Sequence, residues 1–254
     1  MDGKFYKCGV RYLSIMNTIQ VLKRLATYPT FNVNTVANII EKDIPYTRLY
    51  LNRLKQRKIV HQLQRNVYTV QDDPLIIASR ISWPSYISLW AALRYHNLTE
   101  QLPHTITVIT TQMKSRREIS LPNTRFIFEH IRPLWFFGFK KITISDFEVF
   151  MAEPEKALID ALLLKRISVS EIYSILQHHL KDLSTERLVE YILKTQNQAL
   201  AKRFGWMLSS LGGQNAVKLK QLTYGTVIPL DYSRPFKGKK DSYWGIIINI
   251  GEIG

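Results

Sequence analysis

From Ile44 to Gln71 the chain carries six cations, Arg48, Arg53, Lys55, Arg57, Lys58 and Arg65, and no Asp or Glu. Within that stretch Tyr46 to Lys58 has helical spacing. At about 100° per residue, Thr47, Tyr50, Leu51, Leu54 and the stem of Lys58 fall within one arc. The opposite arc holds Leu49, Asn52, Arg53 and Gln56, flanked by Tyr46, Arg48, Lys55 and Arg57. A solvated helix usually mixes charge signs, whereas a face of one sign repels itself unless an anion lies nearby. Any fold of this chain must therefore bury the leucine stripe and leave the cations facing outward.

The flanking sequence predicts what covers the stripe. From Ser14 to Tyr28 the residues Ile15, Ile19, Leu22 and Leu25 recur at three- and four-residue steps, a helix that Pro29 ends. A second helix fits Asn34 to Glu41, with Asn34 as its cap and Val36, Ile39 and Ile40 as its apolar face. Pro45 suits the first position of a third helix, where its missing N–H costs nothing. Beyond it, Ile59 to Leu63 and Val67 to Val70 read as strands joined through Gln64-Arg65-Asn66, where Asn66 tolerates turn geometry. The order helix, helix, turn, helix, hairpin is that of a winged helix-turn-helix, in which the third helix enters the DNA major groove. Asp72-Asp73-Pro74 interrupts the pattern, so residues 1–73 are expected to form this domain and residues 74–254 a second one.

The remainder predicts a larger α+β domain. A helix is expected from Ser82 to Asn97 and strands over Thr105 to Thr111, Thr124 to Ile131, Lys141 to Ile144 and Phe147 to Met151. Helices follow over Glu153 to Leu164, Ser168 to Leu180, Ser184 to Leu193 and Asn197 to Leu211, with Gly212-Gly213 as a stop, and Trp244 to Ile248 is a final strand. The run Leu134-Trp-Phe-Phe-Gly-Phe139 reads as a core strand, with an exposed interaction patch as the alternative. The loops around Lys114-Ser-Arg116-Arg117 and Lys237-Gly-Lys239-Lys240 read as solvated, with contact to RNA or DNA as the alternative.

A formal charge of +15 draws the protein toward polyanions, either nucleic acid or an anionic membrane face. No apolar run approaches the roughly 18 residues of a spanning helix, and no signal-peptide pattern is expected at the start. With Cys8 the only cysteine, neither an internal disulfide nor a thiolate metal cluster can form, and a cytoplasmic home is the default.

DNA would answer both halves of the cationic helix. Arg48, Arg53, Lys55 and Arg57 can pair with phosphates or guanine, and Asn52 and Gln56 can read adenine. Leu49 can meet a thymine methyl or stand as an ordinary surface leucine. Tyr46 flanks the face, and Arg65, at the hairpin tip, is placed to reach backbone or minor groove. No catalytic set assembles elsewhere. His61, His96, His104 and His130 lack ligand spacing, and adjacent His178 and His179 would diverge on a helix. Glu153-Pro-Glu155-Lys156 fails the nuclease spacing, because Pro154 stands where a carboxylate is needed, and first-turn helix charge explains both acids. Phosphate-loop, dinucleotide-fold and nucleophile-elbow signatures are absent. No cofactor and no metal are expected.

The runs YISLWAALRYHNLTEQLPHTITVIT (residues 86–110), TRFIFEHI (124–131), MAEPEKALIDAL (151–162) and VIPLDYSRPFKGKKDSYWGIIIN (227–249), in that order, resemble the AbiEi-type antitoxin family. The chain departs from many relatives in Leu134 to Phe139 and in Asp231-Tyr-Ser, where a proline often follows the aspartate. The resemblance implies a two-part protein. Its first domain would bind operator inverted repeats in double-stranded DNA and repress its own operon. Its second would counter a cognate nucleotidyltransferase-like toxin in type IV fashion, without a required stable complex. Two other classes stay open: a nucleic-acid-processing enzyme with a winged-helix targeting module, and a ligand-sensing repressor.

Overall fold

The computed structural model describes residues 17–250, the side chain of Gln214 excepted; Cys8 and the Ser14–Met16 start of the first expected helix lie outside them. The described residues are mixed α+β and divide into two compact units, one ending at Gln71 and the other beginning at Asp72.

In the first unit, α1 (Thr18–Leu25), α2 (Val33–Ile40) and α3 (Ile44–Gln56) precede a hairpin of β1 (His61–Gln64) and β2 (Val67–Thr69). Each helix starts on a polar cap. Asn17 accepts from Ile19 N, Asn32 from Thr35 N and Asp43 from Tyr46 N, each relieving an orphan first-turn amide. The cap of α2 is thus Asn32 rather than Asn34, which sits two residues later, already inside the first turn. Pro45 is the second residue of α3, not the first. α1 buries Val21 and Leu25 and leaves Ile19 61% exposed, so the expected apolar stripe is rotated away from Ile19.

Val21, Leu25, Val36, Leu51, Leu54 and Val60 interlock as the core of this unit. The α1–α2 connection joins the hairpin through two backbone hydrogen bonds between Phe31 and Tyr68, whose rings stack at 6.3 Å. Asn66, at φ +59°, makes the hairpin turn, and its side-chain oxygen accepts from Val33 N at the start of α2 (3.1 Å). α3 stops in a Schellman motif: Ile59 N donates to Leu54 O, Lys58 N to Lys55 O, and Lys58 takes φ +58°. This early stop turns Lys58 into solvent, against the expectation that its stem joins the buried arc.

The second unit is built on a six-stranded mixed sheet. Its strands are β3 (Ser85–Ser88), β4 (Thr105–Thr110), β5 (Glu118–Leu121), β6 (Thr124–His130), β7 (Phe139–Ile144) and β8 (Phe147–Ala152), in the order β5-β6-β4-β3-β8-β7. The flanking pairs β5–β6 and β7–β8 are antiparallel, as is the central pair β3–β4, while β4–β6 and β3–β8 are parallel. α4 (Pro74–Ile81) precedes β3 and α5 (Trp90–Tyr95) follows it, so the single helix expected over Ser82 to Asn97 is a strand followed by a short helix. Leu134 to Gly138 form no core strand. Pro133–Trp135 is a 3-10 turn, Leu134 is exposed, and only Phe139 enters the sheet.

After β8 come α6 (Pro154–Leu163), α7 (Val169–His179), α8 (Thr185–Thr195) and α9 (Gln198–Ser210). A three-stranded sheet closes the unit, with β9 (Ile228–Pro229), β10 (Lys239–Asp241) and β11 (Ile246–Ile248) in the order β10-β11-β9. Gly205 of α9 faces the Trp244 ring so closely that a Cβ would run into it.

α6 is pinned to β3 by a polar cluster with no solvent exposure at Lys156 and Asp160. Residues four apart share a helix face and residues two apart share a strand face, so Lys156 and Asp160 meet Tyr86 and Ser88. Asp160 accepts from Lys156 Nζ, from Tyr86 Oη (3.0 Å) and from Ser88 Oγ (2.8 Å). Burial and the Asp160 charge hold the Tyr86 phenol well above its ordinary value. Glu155 lies in the first turn of α6, as expected, and is buried there: it accepts from Ser184 N (2.8 Å) at the start of α8.

Candidate nucleic-acid interface

The side of α3 away from the core is set by which residues the core takes. Thr47, Leu51 and Leu54 are buried, and Thr47 Oγ1 donates to Asp43 O (2.7 Å), so a hydroxyl enters the interior with its hydrogen bond satisfied. All nine residues singled out from sequence, Tyr46, Arg48, Leu49, Asn52, Arg53, Lys55, Gln56, Arg57 and Arg65, are solvent-exposed in the first unit. Tyr46 is 48% and Leu49 50% exposed.

The structure sorts them into two stripes. Arg48, Asn52 and Lys55, at i, i+4 and i+7, line a cleft between α3 and the hairpin, with Arg65 across from them. Leu49, Arg53, Gln56 and Arg57 lie on the next face round, and Tyr46 stands near the start of the helix. Gln62, Asn66 and Tyr68 also line the cleft, and sequence reasoning missed them. Gln62 Oε1 accepts from Lys55 Nζ (3.1 Å), which ties the hairpin to the helix, and a register shift between Gln62 and Gln64 separates these two glutamines. Nothing in residue spacing announces that pair, because it depends on where the bulge places β1 beside α3.

Chemically, the cleft offers guanidinium, ammonium and amide groups on one concave wall, and the outer stripe offers two guanidiniums, an amide and a leucine. Such a set can bind phosphate oxygens along the cleft while the outer residues meet base edges. The base of the surface is tied down by contacts within the first unit. The hairpin is fastened by Asn66 to α2, by Phe31 to Tyr68, and by Thr69 Oγ1 donating to Pro29 O (2.9 Å). Among the described residues no group of three or more His, Cys, Asp or Glu could hold a metal ion, and no helix is long and apolar enough to cross a membrane.

No family model matches the chain, and no curated protein matches it. Among solved structures it is similar to the crystal structure of RV2827C protein from Mycobacterium tuberculosis, with a TM-score of 0.60 and 11% identity over 89% of each chain. At that identity the likeness shows a shared fold, and it extends across both units.

Proposed function

We propose that the protein is a cytoplasmic DNA-binding autorepressor and antitoxin whose first unit is a winged helix-turn-helix. The observation that carries the DNA reading is the one-signed, solvent-exposed side of α3 continuing into Arg65 of the hairpin, on a scaffold that ties helix and hairpin together. The helix-helix-helix-hairpin order supports α3 as the groove-reading helix and β1–β2 as the wing. Arg53, Gln56 and Leu49 are assigned to base edges, and Arg48, Lys55, Arg57 and Arg65 to phosphates. The antitoxin role, the inverted-repeat operator and the nucleotidyltransferase-like toxin rest on the AbiEi resemblance of the second unit. No membrane partner is proposed.

The test is a binding titration on the upstream DNA across salt. With those four cations on phosphates, log affinity falls with log salt at a slope of roughly −3.6, a loss of about 150-fold between 50 and 200 mM. Arg53→Ala changes base preference, and Lys55→Ala weakens all sequences alike. Salt-independent binding, or base preference unmoved by Arg53→Ala, refutes the assignment. Co-expression with the product of a neighbouring nucleotidyltransferase-like reading frame tests the antitoxin half: growth must be restored by the chain and lost without it.

A further inference from the structure

We propose that the C-terminal three-stranded sheet is a second nucleic-acid site, which takes single-stranded rather than duplex nucleic acid. The inference rests on the second unit alone and is independent of α3. β10 is the edge strand of that sheet, and every residue from Ser233 to Lys240 leading into it is exposed. Lys237, Lys239 and Lys240 form no ion pair among the described residues, and Arg234 shares Asp231 at 3.5 Å. Nearby carboxylates are engaged inward: Asp231 is buried and accepts from Ser233 N (2.8 Å) and Ser233 Oγ (2.6 Å), and Asp241 accepts from Trp244 N (2.9 Å).

Two large aromatic rings stand at the two ends of this cationic edge. Phe236 is 59% exposed just before β10, and Tyr243 is 54% exposed in the turn after it. Neither is a loose end. The Phe236 loop is strapped to the end of β11, where Asn249 Nδ2 donates to Asp231 O (2.8 Å) and Pro235 O (3.0 Å), and the Gly238 backbone lies so close to Ile248 O that no Cβ would fit. Tyr243 is braced edge-on by the buried Trp244 at 5.1 Å. Lys220 Nζ sits 4.4 Å from the Tyr243 ring centre and donates to Tyr243 O.

Rings held out in water beside unpaired lysines match a ligand that alternates negative charge with flat apolar faces. Unpaired bases on a phosphate backbone have both. A duplex keeps its base faces stacked internally and would engage only the lysines, and an acidic peptide would leave the rings unused. Three residues of strand span about 10 Å, so the rings are far enough apart to take separate bases of one short strand.

The test uses the full chain and fluorescence anisotropy with a labelled 12-nucleotide oligouridylate, the matching oligothymidylate, a 12-base-pair duplex and polyglutamate. Either single strand should bind more tightly than polyglutamate, and the duplex, which α3 takes, is the reference whose binding the ring variants leave unchanged; equal binding of the two single strands marks shared backbone-and-base recognition, and a preference identifies RNA or DNA as the source. Phe236→Ala and Tyr243→Ala should each weaken single-strand binding by roughly 5- to 150-fold, and Phe236→Leu should do so while keeping an apolar side chain. Lys239→Ala with Lys240→Ala should reduce the salt slope by about 1.4. Arg53→Ala should leave single-strand binding unchanged, which separates this site from α3. The proposal is overturned if polyglutamate binds as well as the single strands, if the ring variants bind single strands normally or weaken duplex binding equally, or if Arg53→Ala abolishes single-strand binding.

Discussion

Replacing Asp160 by alanine strands a cation in the interior, and the cost can be worked from the contacts. Lys156 and Asp160 are both fully buried, and Asp160 is the acceptor for Lys156, Tyr86 and Ser88. Breaking a buried pair by removing one partner costs about 3–5 kcal/mol. Two hydroxyls losing their acceptor add about 1 kcal/mol each at the low end, discounted because the three bonds share one centre. The expected loss is about 4–6 kcal/mol, a large part of the roughly 5–15 kcal/mol that stabilises an ordinary domain. All five tryptophans, Trp83, Trp90, Trp135, Trp206 and Trp244, lie in the second unit, so urea unfolding followed by tryptophan fluorescence reads that unit alone. The companion changes are Lys156→Met, Asp160→Leu and the two combined. If the charge pair is the cause, the combined variant is at least about 2 kcal/mol more stable than the sum of the single losses, because no lone charge remains. A loss below about 1 kcal/mol for Asp160→Ala, or strict additivity in the cycle, refutes the reasoning.

Asn66→Ala should destabilise the first unit by about 2 kcal/mol, since alanine is disfavoured at φ +59° and Val33 N loses its acceptor. Asn66→Gly should recover about half, and hydrogen exchange at the α3 amides measures both. Tyr50→Phe should stabilise that unit by about 1 kcal/mol on the same readout, because the Tyr50 hydroxyl is buried without a hydrogen-bond partner. Alkali should weaken the second unit. The unfolded Tyr86 phenol loses its proton near its ordinary 10.0 while the folded one keeps it, so the folded state holds more protons and stability falls as pH rises past that value. Urea midpoints from pH 9 to 11 should drop, and Tyr86→Phe should remove up to about 1.4 kcal/mol per pH unit of that slope. Burial lowers the Lys202 ammonium and opposes the trend below pH 10.5, so the Tyr86→Phe difference, not the raw curve, decides.

Periodicity located α7, α8 and β6 because each keeps one face in the interior over several turns or alternations. It failed at β3 for a physical reason. All four residues of β3 are buried, so the strand has no polar face and its apolar run into Leu89 and Trp90 looks like a helix. Asp73-Pro74, beside the division between the units, carries a second signal. An aspartate followed by proline reads as a break, yet Asp73 accepts from Leu75 N and Pro74 occupies the first turn, which starts α4. The pair lies just inside the second unit and opens its first helix.

At the candidate site the limit lies between one-element and two-element information. Which side of α3 faces out follows from 3.6-residue spacing, and Thr47, Leu51 and Leu54 fix it without reference to any other segment. Where α3 stops depends on Lys58 taking a left-handed backbone, which residue spacing does not carry. The cleft needs still more: a bulge between Gln62 and Gln64, an asparagine turn fastened to α2, and a lysine reaching seven residues onward to Gln62. The outer stripe of α3 is thus encoded locally and tolerates changes in the hairpin. The cleft is a property of two elements in register. On the proposed DNA reading, shortening β1–β2 should therefore weaken the Arg48, Lys55 and Arg65 contacts to phosphate while leaving base preference through Arg53, a separation that a uniform basic surface could not produce.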